Sequence, residues 1–400
     1  LLSISDNANR LFQMRINWFV LGLTYFTLFV FGLADNSRGP IFPDLIAQYS
    51  LTDAEGSFFF FTTSGFALFS SLFGSTWLKR LGAYQTLQAF SAIQGLGLVF
   101  MGFAPSYAVM LVGCAMFGAS AGALGISQNL LVSESVPAHR RRQALSGLHC
   151  MYGVSSLLAP LLVTTLYGLG VQWRQVFAWV AAGSLLAVVI SFKRRQKASV
   201  EVKLEDPETK ADRSDGAGHP WGKIIYLGLI LSFYVIAEIA ISSRLVLFSR
   251  RECGLDVTQA NLLLSLFFLL LFIGRLVFAI VNVPLRNPLL LKISAFSSLV
   301  CFSLGILHDP AWLSLCGLTM SMFYPCMMAF LAEEMGSEIG FATAWCVTIQ
   351  SFGLMLMHFS LGRMSDLVGL RVALWMGPVC LALILVFFAL KGRIRNFRRS

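Results

Sequence analysis

Apolar residues gather into about twelve long runs along this chain, each near the ~20 residues that carry an α-helix across a ~30 Å hydrocarbon core. The first six lie near 16–42, 56–79, 83–104, 107–134, 144–169 and 173–192, and the second six near 222–247, 259–282, 289–307, 311–333, 340–362 and 371–391. Between the two sets, "KRRQKASVEVKLEDPETKADRSDGAGHP" is polar and charged, with Gly and Pro at its end. It reads as a solvated, flexible linker. The pattern therefore predicts an all-α polytopic membrane protein: a six-helix bundle over 1–192, a cytoplasmic linker over 193–220 and a second six-helix bundle over 221–400.

The end of the first run breaks the pattern. "VFGLADNSRGPIFPDL" carries Asp35, Asn36 and Arg38 inside an apolar stretch, followed by Gly39, Pro40 and Pro43. The reading adopted is the outer part of a helix that lines a central cavity, with Asp35 as a titrating group and Gly39–Pro40 loosening the helix end. The first apolar run also lacks a small-residue cleavage site and is too long for a signal peptide's core, so no cleavable leader is expected.

Composition sharpens this picture. Hydrophobic residues make up 56% of the 400 and charged residues 12%, with a mean hydropathy of +0.73. A soluble chain with so little charge could not cover its own surface. The net charge of +10 reads as cytoplasmic Lys and Arg that fix orientation. Placing both termini and the linker inside puts most of the 30 Lys and Arg on the cytoplasmic side, including Lys79, Arg80, Arg140, Arg141, Arg142 and the five at the C-terminal end. Arg38, Arg174, Arg250, Arg251, Arg363 and Arg371 then fall outside. The eight cysteines stand singly, without a CxxC pair, and read as packing residues rather than a disulfide or zinc framework.

The two sets of runs carry a short internal likeness. "YSLTDAEGSFFFF" leads into the second run and "CGLDVTQANLLL" into the eighth. Thr52 with Glu55, and Asp256 with Gln259, have the spacing of a capping box, which satisfies free N–H groups at a helix start. With six plus six spans, this supports a duplicated transporter bundle whose site is expected between the halves.

At these residues the chain resembles the major facilitator superfamily, and within it the fucose permease-like sugar–proton symporters. "GLADNSRGPIFPDL" is similar to that group's first-helix pattern. "SQNLLVSESVPAHRRRQALSGLHCMYGVSSLLAP" is similar to its fourth helix, basic loop and fifth helix. The long segment from "FYVIAEIAISSRL" to "LLLFIGRL" resembles its seventh and eighth helices, with an acid at Glu238, and "MFYPCMMAFLAEE" its tenth. The superfamily's signature loop is reduced to "GSTWLKRLG", where Lys79 stands in place of the acid; members of this group commonly carry a base there. The resemblance implies twelve helices in two pseudo-symmetric bundles, alternating access, and proton-driven import of a sugar or related polyol. Two acids tied to proton and sugar handling in the group's fucose carriers fall on Gly39 and Gly125 here, so those roles do not carry over. Asp35 matches the acid of a broader subgroup.

Asp35 and Glu238 are the expected proton-coupling residues. Asp35 precedes Leu51 of the repeated segment by 16 positions and Glu238 precedes Leu255 by 17, so they hold nearly equivalent places in the halves. Ionisable groups inside a membrane default to function; the plain alternatives are a helix-ending Asp35 and a Glu238 paired with Arg244. Arg38 is expected in an ion pair at the outer mouth or against an anionic substrate. Asn36, Gln128, Asn129, His149, Tyr152, Arg244, Tyr324, Trp345 and Gln350 complete the candidate substrate contacts, since sugars stack on aromatics and bond amides. Each of these also has a packing reading. Arg275 and Asp366 are assigned to gating or topology, His358 to no role, and the Phe wall Phe58–Phe61 to lipid or helix packing. Gly118, Gly122 and Gly125 are spaced to let helices approach closely.

Nothing resembles a phosphate-binding loop, a metalloprotease helix or a nucleophile elbow, and the basic loops lack the aromatics suited to nucleic acid. The expectation is a carrier and not an enzyme, a monomer in a multi-pass cell membrane, bacterial inner membrane in type, with both termini cytoplasmic. It needs no cofactor or metal beyond a coupling proton or sodium, and its partners are a small substrate and lipid. The rival readings are an exporter, exchanger or uncoupled facilitator of another small amphipathic or anionic molecule, and a membrane scaffold or sensor.

Overall fold

The computed structural model describes residues 16–192, 220–281 and 283–397. The linker basics, Arg10, Arg15, and the last residues of the C-terminal basic cluster lie outside the described residues. Helices α1 (Trp18–Tyr49), α2 (Asp53–Leu72), α3 (Gly74–Leu81), α4 (Ala83–Gly102), α5 (Tyr107–Glu134), α6 (Arg141–Gly168) and α7 (Trp173–Phe192) precede the linker. After it come α8 (Trp221–Arg251), α9 (Val257–Ile280), α10 (Asn287–Leu307), α11 (Ala311–Met320), α12 (Phe323–Met335), α13 (Ile339–Val368), α14 (Leu370–Ala373) and α15 (Met376–Phe397).

Ten of the described spans are long and apolar enough to cross a membrane, eleven with the α2–α3 pair, which bends by 58°. The twelfth segment of that length is α4, whose 20 residues fall short in apolarity because they include Gln85, Gln88 and Gln94. Two of these amides are tied to α7: Gln94 donates to the Ser184 hydroxyl at 2.8 Å and Gln88 to that of Ser191 at 3.1 Å. Paired amides of this kind are compatible with an apolar surrounding and hold helices together.

Local chemistry sets the helix boundaries. Both capping boxes form: the Thr52 N–H donates to Glu55 at 2.8 Å and the Glu55 N–H returns to Thr52 Oγ1 at 3.2 Å. At α9 the Gln259 N–H donates to Asp256 at 2.9 Å and the Asp256 N–H to Gln259 at 3.2 Å. One boundary differs from the expectation. The first helix does not end near residue 42; α1 runs for 32 residues through Pro40 and Pro43 to Tyr49. Each proline lacks the N–H that would bond four residues back, so the Asn36 and Gly39 carbonyls lose their helical partners, yet the helix persists on tertiary packing. At 1.5 Å per residue it is about 48 Å long, well beyond the hydrocarbon thickness.

Packing sorts the described chain into two units. The first holds residues up to Ser37 and from Thr62 to the end of α7, and the second holds Arg38–Phe61 together with everything after the linker. Thus α1 and α2 each contribute to both. Within the first unit, α4 and α5 meet at Gly97 and Gly113, where an added Cβ would lie 2.9 Å and 2.7 Å from the other's carbonyl oxygen. Gly118 and Gly122 press on the α2 backbone at Thr63 and Ala67, with 2.2 Å and 2.3 Å left for a Cβ, while Gly125 has open space. The glycine stripe is therefore a contact surface at two of its three positions. Within the second unit, α8 packs face to face on α12 through Tyr234 and Phe323, their rings 4.3 Å apart.

Candidate functional site

In the first unit, Asp35 and Tyr152 come together. The Tyr152 hydroxyl donates to Asp35 Oδ2 at 2.8 Å. The Tyr152 ring stacks on Phe31 at 6.3 Å, and Phe31 on Phe117 at 5.2 Å, so the α1–α6 contact is fixed by aromatics around one carboxylate. His149, one turn before Tyr152 on α6, is exposed. Three candidate amides are engaged locally. Asn36 donates to the Gly32 carbonyl at 2.9 Å and Asn129 to that of Gly125 at 2.7 Å, each within its own helix. Gln128 is buried and donates to Thr27 Oγ1 at 3.1 Å, which makes it a tie between α5 and α1.

In the second unit, Glu238 on α8 does not pair with Arg244. Its Oε1 lies 3.5 Å from an Arg275 nitrogen on α9. Arg244 sits six residues further along α8 and donates to the Ser57 hydroxyl at 2.7 Å instead. The helical repeat explains the exchange: six residues turn Arg244 well away from the face that carries Glu238. Around the pair stand Tyr234 from α8 and Tyr324 from α12, both within its electrostatic reach. The Tyr234 hydroxyl also donates to the Met320 carbonyl at 3.1 Å, at the break between α11 and α12. Pro325 removes a further donor there. Arg275 Nε is buried and has no hydrogen-bond partner among the described residues. The same holds for Gln350 Oε1 on α13. Trp345, 41% exposed, packs edge-on against Trp221 at 5.1 Å, in an aromatic group at the start of α8 and α13.

A second cluster of this unit was missed in the sequence. Phe59 and Phe60 of the Phe wall are buried, not lipid-facing. The Arg38 guanidinium lies 5.2 Å from the Phe60 ring and 5.9 Å from that of Phe59. Arg244 lies 4.1 Å from the Phe42 ring and 4.9 Å from Phe60. His358 stacks on Phe60 at 5.0 Å. Nearby, Arg250 pairs with Asp44 at 3.0 Å and Arg251 with Asp53 at 2.6 Å, while Ser365 donates to Asp53. Asp366 accepts the Asp53 and Ala54 N–H groups at 2.7 Å and 3.0 Å. These contacts anchor Arg38–Phe61 to α8 and α13. The capping-box spacing located the start of α2, but no sequence signal tied it to residues some 200–300 positions away.

The glycines at the group's acid positions have opposite surroundings. A Cβ at Gly39 would lie 2.5 Å from the Ser242 carbonyl oxygen, whereas one at Gly125 would meet nothing within 4 Å. No longer side chain fits the first without moving α1 from α8.

Comparison with known proteins agrees with this architecture. Residues 24–358 match the Major Facilitator Superfamily. The sodium-dependent glucose transporter 1A of Mus musculus is 21% identical over 368 residues, 83% of this chain and 86% of that protein. Among solved structures, a peptide transporter crystallised with sulfate is similar with a TM-score of 0.74 at 14% identity, covering 94% of both chains. A D-xylose–proton symporter is similar with a TM-score of 0.73 at 14% identity, covering 93% of this chain and 97% of that one. At those identities the structures speak for the fold alone. The span matched by the family covers most of the chain and both sets of helices: this is a multi-pass membrane protein of the Major Facilitator Superfamily.

Proposed function

We propose that the protein is a secondary active carrier that imports a sugar or related polyol by alternating access, driven by protons. The observation that carries this reading is the Glu238–Arg275 pair between two membrane-spanning helices. A charge pair in such a setting is costly to keep for packing alone, because apolar residues of similar volume often serve at least as well. Protonation of Glu238 would release Arg275, and the buried Arg275 Nε offers a donor to a hydroxyl or carbonyl oxygen. Asp35, held by the Tyr152 hydroxyl, is the second candidate for proton coupling. Gln350, with its unbonded carbonyl oxygen, and Tyr324 suit hydroxyl recognition.

The substrate class rests on the glucose transporter among the similar proteins and on the resemblance of the sequence to sugar–proton symporters. The first of these also keeps sodium open as the coupling ion, since carboxylates serve either cation. Orientation follows the positive-inside rule, with both termini cytoplasmic. Purified protein in liposomes, screened with labelled hexoses, pentoses and polyols under an imposed proton or sodium gradient, tests the reading. Accumulation above equilibrium under the proton gradient is expected. Accumulation under sodium alone would replace the coupling ion, and no movement of any sugar under either gradient would remove the substrate class.

A further inference from the structure

The span Ala311–Met335 is interrupted near its middle. Its parts, α11 with 10 residues and α12 with 13, are about 15 Å and 20 Å long, so neither alone crosses a ~30 Å core. The break at Ser321–Met322 therefore lies at membrane depth, where each carbonyl released from a helix needs another donor. Pro325 brings no N–H to the Ser321 carbonyl four residues back. The carbonyl just before it, that of Met320, accepts the Tyr234 hydroxyl at 3.1 Å. Tyr234 belongs to α8, is fully buried and stacks on Phe323, the first residue of α12, at 4.3 Å.

The same tyrosine stands beside the charge pair. Tyr234 and Glu238 are one helical turn apart on α8 and share a face, and both Glu238 and Arg275 act on the Tyr234 hydroxyl. From α9, Gly274 packs directly on the break: a Cβ there would collide with the Ser321 hydroxyl. Arg275 is the next residue. From α12, Tyr324 follows Phe323 and is within reach of both members of the pair. The break and the pair thus meet at one buried hydroxyl. To fill the space against Phe323 a phenylalanine would serve equally well; the hydroxyl adds a bond aimed at the break.

We propose that Tyr234 is a positioning residue for transport: its hydroxyl ties the α11–α12 break to the Glu238–Arg275 pair and so keeps Tyr324 beside that pair. This rests on the reading of the pair as the working site. A span broken at membrane depth can bend at the break, and α12 carries Tyr324 with it. With the Met320 carbonyl held by α8, the first turn of α12 stays in register with the pair. Without that bond the carbonyl has no donor from α8, the break opens more readily, and Tyr324 loses its fixed place.

Tyr234→Phe keeps the ring stack and removes only the hydroxyl, so it isolates the tie. Hydrogen exchange of the full chain in lipid nanodiscs, without any substrate, is the first readout. Peptides covering 318–328 are expected to exchange about fivefold faster than in wild type, the factor set by one typical net hydrogen bond, while α4 keeps its protection. Unchanged exchange at the break overturns the proposal. So does a rise of equal size across α4, α8 and α12, which is the mark of general loosening. The second readout is the Michaelis constant in proteoliposomes for whichever labelled sugar the wild type carries. Tyr234→Phe should raise it about as much as Tyr324→Phe does, with the maximal rate kept and the double variant no worse than either single one. Independent, multiplying rises would separate Tyr324 from the tie and overturn the positioning role. If no sugar moves, the substrate reading fails, and the exchange result still decides whether the tie exists.

Discussion

Gly39 and Gly125 show how little a residue's type says about its task in a membrane helix. The Gly39 Cα faces the Ser242 carbonyl, leaving 2.5 Å for a Cβ, and Gly125 faces open space. Gly39→Ala should destabilise the protein by about 1–3 kcal/mol, since the obstacle is backbone and cannot turn aside. Gly125→Ala should be neutral or stabilising by up to ~1 kcal/mol through helix propensity. Thermal unfolding of the two variants in detergent checks both, and equal losses would show that the close approach at Gly39 is not rigid. Neither difference was legible in the sequence, where the two glycines shared one argument. The alternative pairing of Glu238 with Arg244 does not form, for a related reason. Arg244's partner, the Ser57 hydroxyl, lies 187 positions earlier, and chain order offers no hint of such a contact.

Among the elements, the pairing of α8 with α9 carries the chemistry. Removing one member of the Glu238–Arg275 pair leaves an uncompensated charge between helices, which costs about 3–5 kcal/mol when fully buried and less here, where Arg275 keeps 40% side-chain exposure. Glu238→Gln and Arg275→Met should each lower the unfolding temperature, and the double variant should recover part of the loss. Additive losses in that cycle would mean that the two side chains do not interact. At the start of α2, Asp366 accepts two of the helix's first N–H groups. Asp366→Ala should cost about 1 kcal/mol, typical of a lost N-cap, and should raise exchange in the first turn of α2 before any other helix responds. The capping boxes at Thr52 and Asp256 were readable because they span three residues. The course of α1 was not: Gly39–Pro40 looks like a helix end locally, and its continuation to Tyr49 packs on both α8 and α2.

For the whole molecule, most of the fold was written in the apolar runs, because a membrane leaves the backbone few options other than helices. All twelve runs correspond to helical segments, including α4, where glutamines dilute the apolar signal and two of them bond to α7. The candidate site was legible only in part. Asp35 and Glu238 stand out as acids in apolar runs, yet the identities of their partners, Tyr152 and Arg275, depend on helix packing that no local pattern encodes. The attachment of Arg38–Phe61 to the later helices likewise has no counterpart in a sequence that reads as six spans plus six. That attachment is why the same protein carries two separate polar clusters in one unit, one at Glu238 and one around Phe60.

The central claim is that a membrane carboxylate links proton movement to substrate movement. Its most direct measurement compares two modes of transport by Glu238→Gln in proteoliposomes, using whichever labelled sugar the wild type accumulates. The account predicts that gradient-driven accumulation falls to the equilibrium level while exchange of labelled for unlabelled sugar persists, because exchange needs no net proton movement. Accumulation that survives the substitution undiminished would contradict the assignment of Glu238 and pass the coupling role to another group.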